Sequence, residues 1–165
     1  MSKISLIGHF SHSVKVIEKF WCKGEEYGPF KCNLLRKENQ IYNDLQGGKG
    51  IPKTFWFGDA QNIFHNSRKL HNVLVMELLG NDLETLFKKQ RRFFSLKTVL
   101  MLAEQLLTRV EYLHKMNYIH QDIKPENILI GSGKSESIIY LADFGLTKKY
   151  YPSNDKYKEN LGIQG

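Results

Sequence analysis

His120-Gln121-Asp122-Ile123-Lys124-Pro125-Glu126-Asn127 brings a carboxylate, an ammonium and a carboxamide into one short stretch. Asp143-Phe144-Gly145 follows one predicted hairpin later. Asp122 is the type of group that works beside an attacking hydroxyl, and Lys124 supplies charge for a phosphate in transfer. Asn127 and Asp143 offer the hard oxygen donors that Mg²⁺ takes. With each residue type near one in twenty, His-x-Asp-x-Lys-x-x-Asn arises by chance in roughly one such chain per thousand. A second acidic cluster just past the next strand pair makes coincidence rarer. The competing reading has Asp122 and Asp143 merely capping turns after a helix and a strand.

These residues need elements to hold them. Asn127-Ile128-Leu129-Ile130 and Ile138-Ile139-Tyr140-Leu141 read as two strands, joined by a turn over Gly131-Ser132-Gly133-Lys134-Ser135-Glu136. That hairpin returns the second cluster to the first. Upstream, Leu96, Val99, Leu100, Ala103, Leu106, Leu107, Val110 and Leu113 make the strongest helical stripe in the chain, with Ser95 as its N-cap. This stripe is expected to be buried against the rest of the fold. Arg91-Arg92 before it reads as a solvated turn.

Earlier still, Asp82 is expected to cap a helix carrying Leu83, Leu86 and Phe87. Thr54-Phe55-Trp56-Phe57 and Val73-Leu74-Val75-Met76 read as strands, with a long exposed turn from Gly58 to Asn72. Ile41, Tyr42 and Leu45 predict a short helix over Asn39 to Leu45, broken by Gln46-Gly47-Gly48-Lys49-Gly50-Ile51-Pro52. Glu38 is either a carboxylate on its apolar face or a first-turn acid favoured by the helix dipole. The order of elements is an α+β pattern.

Composition is compatible with this. The chain has 165 residues, 41% apolar and 12% aromatic, enough for a core. No apolar run approaches the ~20 residues of a membrane span, and the start lacks the apolar stretch of a secretory signal. Cys22 and Cys32 cannot build a disulfide framework or a zinc site, which suits a reducing intracellular compartment. The net charge of +7 favours anionic partners. Nucleic acid is disfavoured, because the lysines are spread through the chain and no binding motif accompanies them.

The catalytic cluster and Asp143-Phe144-Gly145 resemble the catalytic loop and magnesium-binding motif of protein kinases. A narrower resemblance, to the casein kinase 1 family, runs from Glu38 onward. It is carried by Gln46-Gly47-Gly48-Lys49-Gly50-Ile51-Pro52, Met76-Glu77-Leu78-Leu79-Gly80, Phe94-Ser95-Leu96-Lys97-Thr98-Val99, Ile119-His120-Gln121-Asp122 and Asp143-Phe144-Gly145-Leu146-Thr147-Lys148-Lys149-Tyr150. The resemblance implies a monomeric, ATP- and Mg²⁺-dependent serine/threonine kinase of cytoplasm and nucleus, acting on acidic or already phosphorylated protein segments. It also implies a two-lobe fold. Residues 1–79 would form a β-rich N-lobe with one helix and the hinge, and 80–165 an incomplete helical C-lobe. The stripe on the long helix would then lack packing partners, which invites aggregation or another protein.

Within that resemblance, Asp122 and Lys124 are the catalytic pair and Asn127 and Asp143 the metal ligands. Ile7, Gly8, Lys31, Glu38, Met76, Glu77, Leu79 and Leu129 are the nucleotide-binding residues. Met76 takes the gatekeeper position, the backbone of Glu77 and Leu79 meets the adenine, and Leu129 lies beneath it. Ordinary core packing is the alternative for Met76 and Leu129. Lys31 is the candidate for the lysine that pairs with Glu38, against the reading of an ordinary exposed lysine.

The sequence departs from the family at several points. The glycine-rich loop reads Gly8-His9-Phe10-Ser11-His12-Ser13, so only Gly8 stands at a glycine position. Phe10 and Ser13 bring β-carbons where backbone N–H groups approach phosphate. Gln121 replaces an arginine and cannot supply its charge or its bidentate fork. Ala142 is smaller than the usual residue before Asp143. These departures support an alternative function: an inactive kinase relative that binds nucleotide or a partner without turnover.

Overall fold

Apolar runs in the first half of the chain pair as an antiparallel sheet, and the computed structural model describes residues 5–6, 13–17, 20–26, 34–59 and 71–150. The first three strands are β1 (Ser5–Leu6), β2 (Ser13–Ile17) and β3 (Phe20–Glu26). Helix α1 (Leu34–Leu45) follows, and then β4 (Thr54–Asp59) and β5 (His71–Glu77). The sheet order is β1-β2-β3-β5-β4. In the β3–β5 ladder Trp21 is paired with Met76 and Lys23 with Leu74 along the backbone. Cross-strand partners share a face, so Lys23 emerges on the face of Leu74 and Met76, both buried.

Both strands around the expected exposed turn extend further into it than the sequence suggests. Gly58 belongs to β4, and Asn72 belongs to β5 and is fully buried. Ladder pairing, which local polarity does not reveal, overrides the polar composition there. Residues 60–70 of that turn lie outside the described residues.

Helix α1 starts earlier than predicted, at Leu34, and buries Leu35, Glu38, Ile41, Tyr42 and Leu45. Glu38 is therefore in the second turn, inside the apolar face, and the reading of a first-turn acid falls. The stripe packs into a core with Leu74, Met76, Ile128, Leu141 and Phe144.

The second part is helical with two short ladders. Asp82 caps α2 (Leu83–Lys89), accepting from the Thr85 N–H at 2.7 Å. Ser95 caps α3 (Leu96–Lys115), accepting from the Thr98 N–H at 3.2 Å. Arg91 and Arg92 form the expected exposed turn, both with left-handed backbone. Four short strands follow: β6 (Tyr118–Ile119), β7 (Ile128–Ile130), β8 (Ile139–Leu141) and β9 (Lys148–Lys149). β7 and β8 form the predicted hairpin, with Ile128 opposite Leu141, and β6 pairs with β9. The whole is the expected α+β arrangement.

The expected burial of the α3 stripe is not observed. Leu96 is 73% exposed and Leu107 70%, and Val99, Leu100 and Ala103 are exposed too. Only Arg109 and Leu113 are fully buried. A stripe is covered only where another element faces it, and α3 meets its neighbours chiefly through its C-terminal half. There the Arg109 guanidinium donates to Ile139 O at 3.1 Å and to Gln105 O and Oε1 at 3.0 and 3.1 Å. Gly50, left-handed at φ 77°, passes so close that a β-carbon would strike both Arg109 and Ile139 O. Leu141 N–H then donates to Gly50 O at 2.9 Å, tying this turn to β8.

Candidate functional site

Strand β3 and helix α1 meet the end of β8 at Lys23. Its Nζ donates to Glu38 Oε2 at 2.7 Å and to Asp143 Oδ1 at 2.9 Å. Glu38 is 2% exposed. Burial draws the Lys23 ammonium down, but the carboxylates of Glu38 and Asp143 outweigh it and hold its pKa above the ordinary lysine value. Burial pushes the Glu38 carboxyl up, with Lys23 opposing. A lysine was expected at Glu38, and the structure places Lys23 there, fifteen residues before it. Lys31, the sequence candidate, lies outside the described residues, as do Ile7 and Gly8.

The second cluster forms around Asp122. Its Oδ2 accepts from Lys124 Nζ at 2.8 Å and from Asn127 Nδ2 at 2.9 Å, and the same Nδ2 reaches Asp122 O at 2.8 Å. Hydrogen bonding from Lys124 is the largest cause holding the Asp122 carboxyl below its usual range. Both partners of Nδ2 are acceptors, which orients the Asn127 amide with Oδ1 directed away from Asp122. Gln121, where the family resemblance expects an arginine, is exposed with φ 65°.

His120 joins the two clusters. The Asp122 N–H donates to His120 Nδ1 at 3.2 Å, so Nδ1 is the acceptor and Nε2 carries the proton it shares with Ala142 O at 3.1 Å. This neutral tautomer agrees with the direction of its pKa, which burial lowers. Thr147 Oγ1 donates to His120 O at 3.2 Å.

Hairpin register sets Asn127 beside Asp143. Ala142 N–H donates to Asn127 O at 2.9 Å, so the residue after Ala142 leaves the hairpin next to Asn127. Asp143 is left-handed (φ 62°, ψ 72°), and its Oδ1 also accepts from the Gly145 N–H at 3.4 Å. Among the described residues, His, Cys, Asp and Glu side chains do not converge in a group of three that could hold a metal. The donors at hand are one carboxylate and one amide oxygen. They fit a hard cation completed by water and phosphate oxygens, the manner of Mg²⁺.

Met76 is buried at the end of β5, and the chain then turns away. Glu77 is held on both sides by Lys53: its N–H donates to Lys53 O at 2.9 Å, and its Oε1 accepts from Lys53 N at 2.9 Å. Gly80 N–H donates to Ile130 O at 2.8 Å, and Ile130 N–H to Asn81 O at 3.0 Å. Leu129 is buried between these contacts and bridges to Asp82. The segment 80–82 is thus stitched to β7, and the side chain of Leu79 before it is buried.

Sequence reasoning missed Lys23, although it stands in Phe20-Trp21-Cys22-Lys23, a run whose apolar flanks mark a strand. It also missed the Tyr42 hydroxyl, which accepts the Asp143 N–H at 3.2 Å. The arrangement is a chain of alternating charge beside a polar loop, able to hold a polyanion through cations and to accept a proton at Asp122. A family model described as the protein kinase domain matches residues 13–164.

Proposed function

The chain belongs to the protein kinase domain family, and on that premise we propose that it is a serine/threonine kinase of casein kinase 1 type. It transfers the γ-phosphoryl group of ATP to Ser or Thr in acidic or already phosphorylated protein segments. Residues 1–79 act as N-lobe and hinge and 80–165 as the C-lobe portion. The observation that carries this reading is the convergence of Lys23, Glu38 and Asp143 at ion-pair distance, with the Asp122–Lys124–Asn127 cluster one hairpin away. Phosphoryl transfer is mainly a matter of positioning and charge.

In this reading Lys23 steadies the ATP phosphates and Glu38 steadies Lys23. Asp122 accepts the hydrogen bond of the acceptor hydroxyl and aligns its oxygen, and Lys124 offsets charge on the phosphoryl group in flight. Asn127 and Asp143 hold Mg²⁺, which supplies Lewis-acid charge to the phosphate oxygens when bound. Glu77 and Leu79 meet the adenine through their backbone, with Met76 behind it and Leu129 beneath. Asp122 remains a carboxylate at neutral pH, since Lys124 lowers its pKa. No helix among the described residues is long and apolar enough to cross a membrane. From the resemblance to the casein kinase 1 family, we place the protein in cytoplasm or nucleus as a monomer.

The test is phosphate transfer from ATP with Mg²⁺ to an acidic serine peptide and to its tyrosine counterpart. Transfer to serine alone, lost in Asp122→Asn, is expected. No transfer, or equal transfer by Asp122→Asn, overturns the reading. The exposed face of α3 favours a second one, a non-catalytic module that binds nucleotide or a protein partner. A nucleotide-dependent thermal shift without any transfer would select it.

A further inference from the structure

Tyr42 is 1% exposed, and its ring meets Phe144 edge-on at 4.8 Å. A phenylalanine would fill that packing role equally well. A phenol in such a place must find a partner for its oxygen. The partner is the backbone N–H of Asp143, at 3.2 Å. Tyr42 lies one helical turn after Glu38, so α1 reaches Asp143 twice: through Lys23 to the carboxylate, and through the phenol to the backbone.

We propose that the Tyr42 hydroxyl is a positioning residue for the metal-binding carboxylate, holding Asp143 in its left-handed conformation by its backbone N–H. Resting on the reading of Asp143 as a metal ligand, it assigns that ligand a support which does not compete with the metal. Lys23 and the Gly145 N–H both occupy Asp143 Oδ1, the carboxylate itself. The bond to Tyr42 instead engages the backbone N–H and takes up neither carboxylate oxygen. A non-glycine residue at φ 62° needs such constraints, because the extended backbone is its cheaper alternative. The hydroxyl stays neutral in this role: burial, aided by the Glu38 charge, puts its pKa well above the ordinary tyrosine value.

The test compares ATP affinity by calorimetry, with and without Mg²⁺, in the unsubstituted protein and in Tyr42→Phe. The unsubstituted protein is expected to gain affinity with Mg²⁺. Tyr42→Phe should lose about fivefold of that gain, the size of one neutral hydrogen bond, and keep its metal-free affinity. An undiminished gain, or an equal loss with and without metal, overturns the proposal and leaves the metal-ligand reading intact. Absence of any Mg²⁺ effect in the unsubstituted protein instead removes the metal-ligand reading, and the proposal with it. Amide hydrogen exchange on the unsubstituted protein needs no variant. The Asp143 N–H should exchange slowly, and free exchange while β3 and β5 stay protected overturns the proposal.

Discussion

Helices α1 and α3 carry the same kind of apolar repeat, yet only α1 is seated along its length. Its face, Leu35, Glu38, Ile41, Tyr42 and Leu45, is buried, and two of those residues reach Asp143 directly or through Lys23. The longer stripe of α3 leaves Leu96, Leu100 and Leu107 open. Periodicity records which face a helix would bury and says nothing about whether a surface stands opposite. For α1 that surface is the sheet and the end of the β7–β8 hairpin. For the N-terminal half of α3 none is found among the described residues. The contacts that reach Asp143 from α1 therefore run through a fully seated helix.

The largest expected effect comes from cutting α1 loose from the site. Lys23→Met should lower phosphoryl transfer by a factor on the order of 10²–10³, the size of losing one positioned charge in a transition state. Lys31→Met should leave transfer close to the unsubstituted rate. The reverse pattern in steady-state kinetics would return the anchoring role to Lys31.

Truncation of one apolar-stripe residue on each helix measures the seating itself. Leu45→Ala, in a fully buried site, should cost about 2–5 kcal/mol in urea unfolding. Leu107→Ala should fall within about 0.5 kcal/mol. Comparable losses would mean that the α3 face is covered in solution. Between these lies Ser95→Ala, which removes the cap of α3 and should cost about 1 kcal/mol.

The smallest effect concerns pH. Lys124 depresses the Asp122 pKa, so the resulting stabilisation is fully present above the ordinary value of 3.8 and fades only as pH falls below it. Lys124→Met should move the Asp122 titration, followed by carboxyl carbon NMR, upward toward that value. An unmoved titration would show that the 2.8 Å contact does not persist in solution.

Much of the site was legible because its residues are close in sequence. Asp122, Lys124 and Asn127 meet within one loop, and the hairpin that brings back Asp143 is announced by two β-prone runs and a glycine-containing turn. Ser95 and Asp82 were legible as caps for the same local reason. Lys23 was not, since its pairing with Glu38 depends on which face of β3 it occupies. That face is set by the register against β5, and a shift of one residue would turn Lys23 away. The Asp143–Tyr42 bond spans 101 residues and has no local signature.

From sequence alone came the chemistry: carboxylates, an ammonium and an amide at a spacing suited to phosphate and a hard cation, on an α+β chain. Propensity, capping and turn residues act over a few positions and need no knowledge of the rest of the fold. Tertiary structure decided which lysine serves Glu38, how Asp143 is held, and that α1 is covered while much of α3 is not. Those outcomes depend on strand register and on opposing surfaces, which exist only once distant segments have met.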